Sequence, residues 1–189
     1  MSQFTALFDA CVLYPAPLRD LLMELALTDL FRAKWTNEIH NEWIRNLLKN
    51  RPDLTLERLQ ITRDKMNLHI RDSLVEGYQS LIPSLALPDQ DDRHVLAAAI
   101  CARADVIVTF NLSDFPKEFL EVYGIEAQHP DEFISHLMDL SPPLVYQAIQ
   151  EIQTRLKNPP RTFEELLTTY ENLGLIKSVA ALKFYQDLA

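Results

Sequence analysis

Residues 105–111 read Asp-Val-Ile-Val-Thr-Phe-Asn, a short run of β-branched and aromatic side chains with a polar residue at each end. Such side chains favour extended backbone, and Asn111 is a residue typical of turns. The run therefore predicts a buried strand. A helix is predicted just before it, beginning at Asp91 or Asp92, and its small side chains indicate close packing on a sheet: Ala97, Ala98, Ala99 and Ala102.

A second strand is predicted near the N-terminus. Residues 4–8, Phe-Thr-Ala-Leu-Phe, form an apolar run of buried-strand length, and Asp9 ends it. Helices are expected over residues 15–29, after a cap at Thr36, and after a start at Thr55 or a neighbouring residue. The buried side of the last of these is predicted to hold Leu56, Leu59, Met66 and Ile70.

A weaker strand is expected at residues 125–127, and the alternation of strands with helices predicts an α/β fold with a parallel sheet. After about Pro130 the sequence changes to helical segments separated by prolines. These segments are 131–140, 143–157, 162–171 and 174–186. The chain is thus predicted to comprise a domain of residues 1–130 and a C-terminal helical extension, residues 131–189, packed on it.

Composition excludes several classes of protein. The chain of 189 residues has three glycines, far apart, so it contains no glycine-rich phosphate-binding loop of the P-loop or dinucleotide type. Two cysteines, Cys11 and Cys101, are too few for a disulfide scaffold and are expected to be buried free thiols. This favours a reducing, cytoplasmic location. No apolar run approaches the ~18 residues of a membrane span.

Charge is unevenly distributed along the chain. The net charge is −9, yet residues 32–71 carry nine basic and five acidic side chains. A protein this acidic is not expected to coat nucleic acid generally. A locally basic surface can nevertheless coexist with the acidic remainder, although solvated helix faces would explain the same residues.

Polar side chains follow both of the clearer predicted strands. Asp9 follows the strand at residues 4–8, and Asn111 and Asp114 follow the strand that begins at Val106. Three more acidic residues lie where the alanine-rich helix before that strand begins: Asp89, Asp91 and Asp92. In an open parallel sheet, ligands bind beyond the carboxyl ends of the strands. Clusters of oxygen ligands without cysteine suit Mg²⁺ or Mn²⁺, and such ions assist the attack of water on phosphodiesters.

Four segments carry a family resemblance: residues 8–13, 36–42, 89–99 and 108–115. In order and spacing they resemble the motifs of PIN-domain ribonucleases, most closely the VapC-type toxins of bacterial toxin–antitoxin pairs. The resemblance covers residues 4 to about 130. It implies a PIN-like three-layer fold, in which helices flank a central parallel sheet.

The resemblance also implies an activity, a cofactor and partners. The activity is that of an endoribonuclease that depends on Mg²⁺ or Mn²⁺ and hydrolyses RNA phosphodiester bonds. A small antitoxin protein is the expected partner, and a homodimer is compatible with the family. The catalytic and metal-binding residues implied by the motifs are Asp9, Glu42, Asp92 and Asp114.

Alternatives remain open at several of these positions. Asp91 adjoins Asp92 and is its rival, and helix capping alone would explain one of the two. Glu38 lies one turn before Glu42 and is the alternative to it. Thr109 and Asn111 are further candidates. The family commonly has a polar Asn, Ser or Asp where this chain has Cys11, so little supporting role is expected at that position.

Three basic residues follow Glu42 on the same predicted helix or just beyond it: Arg45, Lys49 and Arg51. We expect them to guide an RNA backbone toward the metal site. Two other interpretations stand beside the ribonuclease. One is a catalytically inactive PIN-like binding module, and the other is a DNA or flap nuclease of related fold. A haloacid-dehalogenase-type phosphatase is excluded, because it would need an aspartate at position 11.

Overall fold

The computed structural model describes residues 3–188, and its centre is a sheet of four parallel strands. Their order across the sheet is β2-β1-β3-β4. The strands are β1 (Phe4–Phe8), β2 (Phe31–Lys34), β3 (Val106–Val108) and β4 (Glu126–Gln128). The predicted α/β class with a central parallel sheet is confirmed. Residues 1, 2 and 189, which the predicted domain ranges include, lie outside the described residues.

Helices connect and follow the strands. They are α1 (Ala10–Leu13), α2 (Ala16–Ala26), α3 (Asn37–Asn50), α4 (Leu56–His69), α5 (Arg93–Cys101), α6 (Lys117–Leu120), α7 (Pro130–Leu140), α8 (Pro142–Arg155), α9 (Phe163–Asn172) and α10 (Ile176–Leu188). Short 3₁₀ segments cover Gln79–Ser84, Leu112–Asp114 and Glu121–Tyr123. Within residues 3–188, no helix is both long enough and apolar enough to cross a membrane.

The predicted caps are present where two of the helices begin. Thr36 Oγ1 accepts a hydrogen bond from the Ile39 amide at 3.0 Å, and Thr55 Oγ1 accepts one from the Arg58 amide at 3.4 Å. Each cap satisfies an amide that has no acceptor within its own helix. The starts of α3 and α4 are therefore encoded locally.

Three local expectations are wrong. Strand β2 was not expected, because only Phe31 and Ala33 of its four residues are buried and it lies at the edge of the sheet. Leu56 is 50% exposed, since the first turn of α4 extends beyond the core that Leu59 and Met66 enter. Cys101 is exposed because it ends α5 at the surface, and Cys11 is only partly buried.

An aromatic cluster joins the C-terminal region to the sheet. Phe4 and Phe8 lie on the same face of β1, because side chains alternate along a strand. Both rings contact Phe133 of α7, whose ring centroid also lies 5.0 Å from that of Phe31. Helix α8 packs on α2. The division of the chain near residue 130 remains a prediction.

A buried aspartate joins two of the C-terminal helices. Asp131, in the first turn of α7, is 8% exposed, and its carboxylate accepts hydrogen bonds from the backbone amides of Lys177 (2.9 Å) and Ser178 (2.8 Å). The Ser178 hydroxyl adds a third, at 2.7 Å. These amides lie in the first turn of α10, where they lack helical acceptors. Asp131 therefore anchors α10 to α7.

The order of the strands also places the crevice where ligands are expected. The chain passes from β1 to β2 on one side, and then returns to β3 on the other side of β1. The connections diverge between β1 and β3, and a parallel α/β sheet opens a binding crevice at the carboxyl ends of two such strands. Asp9 follows β1 and Thr109 follows β3, so both lie at this crevice.

Candidate active site

Asp9 is the most enclosed of the predicted acidic residues. It is 4% exposed, and its backbone amide donates to the Val108 carbonyl at 3.1 Å, which ties the end of β1 to β3. Its Oδ1 accepts from the Ala10 amide at 2.7 Å, and its Oδ2 accepts from the Thr109 hydroxyl at 2.7 Å. Burial raises the pKa of Asp9, hydrogen bonds from Thr109 and Cys11 oppose that rise, and the charge of Glu42 adds to it.

Cys11 contributes to this arrangement, contrary to expectation. Its Sγ lies 3.2 Å from Asp9 Oδ2 and donates to it, while the Phe110 amide donates to the sulfur at 3.3 Å. Burial, and then the charge of Asp9, raise the pKa of the Cys11 thiol to about 12. The thiol therefore stays protonated near neutral pH and can act as a donor. The sequence predicts little role for this position because Cys11 replaces the polar Asn, Ser or Asp that is common in the family.

Thr109 is the second group that fixes Asp9. Besides donating to Asp9, its hydroxyl oxygen accepts from the Asn111 amide at 3.0 Å. The turn after β3 is thereby shaped by the same side chain that orients the carboxylate at the end of β1. Thr109 was a candidate site residue from sequence, and the structure brings it into direct contact with Asp9.

Asp92 lies in the electrostatic field of the other acids. It occupies the N-cap position of α5, but its carboxylate makes no capping hydrogen bond. Burial raises the pKa of Asp92 to about 7, and four neighbouring carboxylates add to the rise, the largest contribution first: Asp9, Asp114, Asp89 and Glu42. Helix capping therefore does not account for Asp92.

Asp91 is placed differently from its neighbour. It is exposed, and its backbone amide donates to Asp89 Oδ1 at 2.8 Å, as in an Asx turn. Asp114 lies in the 3₁₀ segment after β3, close enough for its charge to act on Asp92. Asn111 is exposed, and its carbonyl accepts the Asp114 amide at 3.0 Å. This arrangement favours Asp92 over Asp91 as the member of the site.

Glu42 and Glu38 lie one turn apart on α3 and share a neighbour. His94 Nε2 is 3.6 Å from Glu42 Oε2, and His94 Nδ1 is 3.8 Å from Glu38 Oε2. Glu38 also accepts a hydrogen bond from the Tyr78 hydroxyl at 3.0 Å. Among the two, Glu42 is the one whose charge raises the pKa of both Asp9 and Asp92. The contact of His94 with both glutamates was not foreseen from sequence.

The side chains predicted to bind metal have the chemistry that a hard divalent cation prefers. All four predicted ligands are carboxylates, and Mg²⁺ and Mn²⁺ prefer oxygen donors. Within residues 3–188, however, no three acidic, histidine or cysteine side chains converge closely enough to hold an ion. Like charges repel strongly at close range in a partly dry crevice, so a cation would be needed to draw them together.

The predicted basic residues occupy the surface of α3 and the turn after it. Arg45 and Lys49 are exposed on α3. Arg51 forms two hydrogen bonds with Asp53, at 2.8 and 2.7 Å, which partly neutralise its charge. Arg51 also lines a surface cavity of about 670 Å³, together with Arg58 and Lys65. The described residues around this cavity include no member of the carboxylate group.

Comparison with known proteins identifies the family to which this chain belongs. The family model described as the PIN domain matches residues 5–113, more than half of the chain, and the chain belongs to the PIN domain family. A second model, described as the VapC50 C-terminal domain, matches residues 130–183.

A curated relative has a similar sequence over part of its length. It is the Mycobacterium tuberculosis (strain ATCC 25618 / H37Rv) protein named "Putative ribonuclease VapC50", which is 42% identical to this chain over 91 residues. The match covers 48% of this chain and 53% of the mycobacterial protein, about half of each. No solved structure shows a significant match.

Proposed function

We propose that this protein is a divalent-metal-dependent endoribonuclease that hydrolyses phosphodiester bonds of RNA. The observation that carries the proposal is the group of mutually interacting carboxylates at the crevice between β1 and β3 in a PIN domain. Such a group lowers stability unless protons or a cation neutralise it. The name of the mycobacterial relative supports RNA as the substrate.

Asp9, Glu42, Asp92 and Asp114 would hold Mg²⁺ or Mn²⁺ in this proposal. The chemistry that such an ion supplies is a lower pKa of the attacking water and stabilisation of the leaving oxygen. The chain's own residues supply orientation. Thr109 and Cys11 hold the Asp9 carboxylate, and the enclosure of Asp9 limits competing solvent.

The basic residues of α3 would contact the RNA backbone. Arg45 and Lys49 follow Glu42 at three and seven residues and lie on the same side of the helix. Replacing Arg45, Lys49 and Arg51 together by Ala should weaken RNA cleavage and reduce its dependence on salt. Because Asp53 already pairs with Arg51, we expect Arg45 and Lys49 to account for most of the loss. An unchanged salt dependence would contradict this assignment.

We further propose that the protein is the toxin of a type II toxin–antitoxin pair and acts in the cytoplasm, where its RNA substrate lies. The resemblance of its four motifs to VapC-type toxins supports this role. A small antitoxin protein would be its partner, and homodimerisation is compatible with it. Expression of the wild-type protein in a host that lacks the partner should arrest growth, and Asp9→Asn should not.

The nuclease activity can be tested on a labelled RNA pool. Purified protein should cleave it with Mn²⁺, and both EDTA and Asp9→Asn should abolish cleavage. Wild type and variant need the same purification, because a contaminating nuclease would survive the substitution. Absence of cleavage by folded protein, with intact RNA and every metal tried, would contradict the proposal and favour an inactive binding module. Cleavage of single-stranded or flap DNA in preference to RNA would favour the DNA nuclease.

A further inference from the structure

A buried histidine lies between the two glutamates of α3. His94 is 7% exposed, and its two ring nitrogens point to different carboxylates, Nε2 to Glu42 at 3.6 Å and Nδ1 to Glu38 at 3.8 Å. Both distances exceed that of a hydrogen bond, so the contacts are electrostatic rather than strongly directional. Among the described residues, Nδ1 has no hydrogen-bond partner.

The helices explain how one ring reaches both carboxylates. Glu38 and Glu42 are four residues apart and therefore neighbours on one face of α3. His94 lies in the first turn of α5, two residues after Asp92, so α5 brings Asp92 and the ring to the same end of the helix. His94 thus reaches from the helix that carries Asp92 to the helix that carries Glu42.

The second glutamate also accepts a hydrogen bond from a buried tyrosine. The hydroxyl of Tyr78, a residue 3% exposed, donates to Glu38 Oε2 at 3.0 Å. A continuous series of contacts therefore runs from Tyr78 through Glu38 and His94 to Glu42. Within this series Glu38 faces His94 and Tyr78, and it is Glu42 whose charge acts on Asp9 and Asp92.

We propose that His94 is a positioning residue, which holds the Glu42 carboxylate beside Asp92, and that Glu38 and Tyr78 hold His94 in turn. This inference rests on the proposed function and assigns roles within its site. Glu38 then supports the site instead of binding the ion. An apolar side chain would fill this buried space without leaving a ring nitrogen unpartnered, so an imidazole here is explained by its contacts with the carboxylates.

Mn²⁺ affinity tests the role of His94 separately from catalysis. Calorimetric titration with MnCl₂, well below the unfolding temperature, should show His94→Leu binding Mn²⁺ about tenfold or more weakly than wild type, the effect typical of removing a group that orients a ligand. His94→Gln keeps an N–H donor on the side chain and should recover part of the affinity. RNA cleavage by His94→Leu should recover at saturating Mn²⁺, which a purely structural defect would not do.

His40 provides a matched control on α3. It is also a buried histidine, but it contacts Trp43 and Asn67 rather than carboxylates. His40→Gln should lower the unfolding temperature and leave the Mn²⁺ affinity unchanged. If His94→Leu and His94→Gln both bind Mn²⁺ as wild type does, the positioning role is wrong while the proposed function stands. If wild type itself binds no Mn²⁺, the proposed function fails and this inference fails with it.

The two glutamates give a second comparison. Glu42→Gln should weaken Mn²⁺ binding more than Glu38→Gln does, because only Glu42 is assigned as a ligand. Tyr78→Phe should resemble Glu38→Gln, since it removes the donor that holds Glu38. A larger effect of Glu38→Gln would make Glu38 the ligand, and an equal effect would give both glutamates that role; either result would overturn the assignment.

Discussion

Two regions of this molecule differ in the surroundings of their buried polar groups: in one the neighbours repel them, and in the other the neighbours form hydrogen bonds with them. At the crevice between β1 and β3, Asp9 and Asp92 have pKa values raised by burial and by other carboxylates. At the helix junctions, which we define as Asp131 with α10 and His40 with Asn67 and Trp43, each buried group meets donors or acceptors of matching kind. The junctions stabilise the fold, whereas the crevice retains repulsion that a ligand can relieve.

The largest effect should come from Asp92. Asp92→Asn should reduce RNA cleavage by about a hundredfold or more, since a ligand should matter at least as much as the groups that orient it. The same change should raise the unfolding temperature of the metal-free protein by a few degrees, because it removes one of several repelling charges. Cleavage assays and thermal unfolding in EDTA measure the two effects.

Asp91→Asn is the control for that experiment, because Asp91 is the exposed neighbour. It should leave both cleavage and stability nearly unchanged. If Asp91→Asn lost activity and Asp92→Asn kept it, the two aspartates would have to exchange roles.

The His40 junction should show a dependence of stability on pH. Burial lowers the pKa of His40 to about 4, with Asn67 and Asp64 opposing the shift and Arg63 and Arg19 adding to it. The unfolded chain therefore binds the extra proton below about pH 6.5, before the folded chain does. The contribution of neutral His40 to the free energy of unfolding is fully present above about pH 6.5. It should fall by about 2 to 3 kcal/mol as the pH approaches 4.

Urea unfolding of wild type and His40→Gln across pH 4 to 7.5 checks this dependence. The difference in unfolding free energy between the two proteins should shrink as the pH falls, because only wild type carries the buried imidazole. A difference that stays constant over this range would show that His40 is not the group responsible.

The Asp131 junction should show a smaller loss of stability and no change in chemistry. Asp131→Ala leaves the first amides of α10 without their acceptor and should cost about 2 kcal/mol. Asp139→Ala, at an exposed position on the same helix, is the matched control and should cost little. If Asp131→Ala abolished cleavage in protein that remained folded, the junction and the crevice could not be treated as separate.

Local signals in the sequence were sufficient to predict much of the fold. The apolar runs of β1 and β3 and the caps at Thr36 and Thr55 depend on neighbouring residues alone. Strand β2 was missed because Arg32 and Lys34 interrupt its short apolar pattern. All four of its residues pair with β1, so its extended conformation depends on a partner strand that is distant in the sequence.

The candidate site also contains residues that the sequence predicts and residues that it does not. Asp9 and Asp114 could be proposed because they follow predicted strands, and Asp92 because it begins the alanine-rich helix, whereas Glu42 was implied by the resemblance of its motif to the family. The groups that hold them could not, because they are far apart in the chain. Thr109 reaches Asp9 across 100 residues, and His94 faces Glu42 from another helix. Such contacts depend on tertiary packing, for which no local sequence pattern exists.

The most direct test of the divalent-cation site is thermal unfolding with and without Mn²⁺ at matched ionic strength. At a concentration of about 100 times Kd, binding should stabilise wild type by about 2.7 kcal/mol, a rise of roughly 5 to 10 °C for a chain of this size. Asp9→Asn should show little or no rise under the same conditions. An equal rise in wild type and Asp9→Asn, or none in wild type at millimolar Mn²⁺, would contradict a divalent-cation site at the crevice.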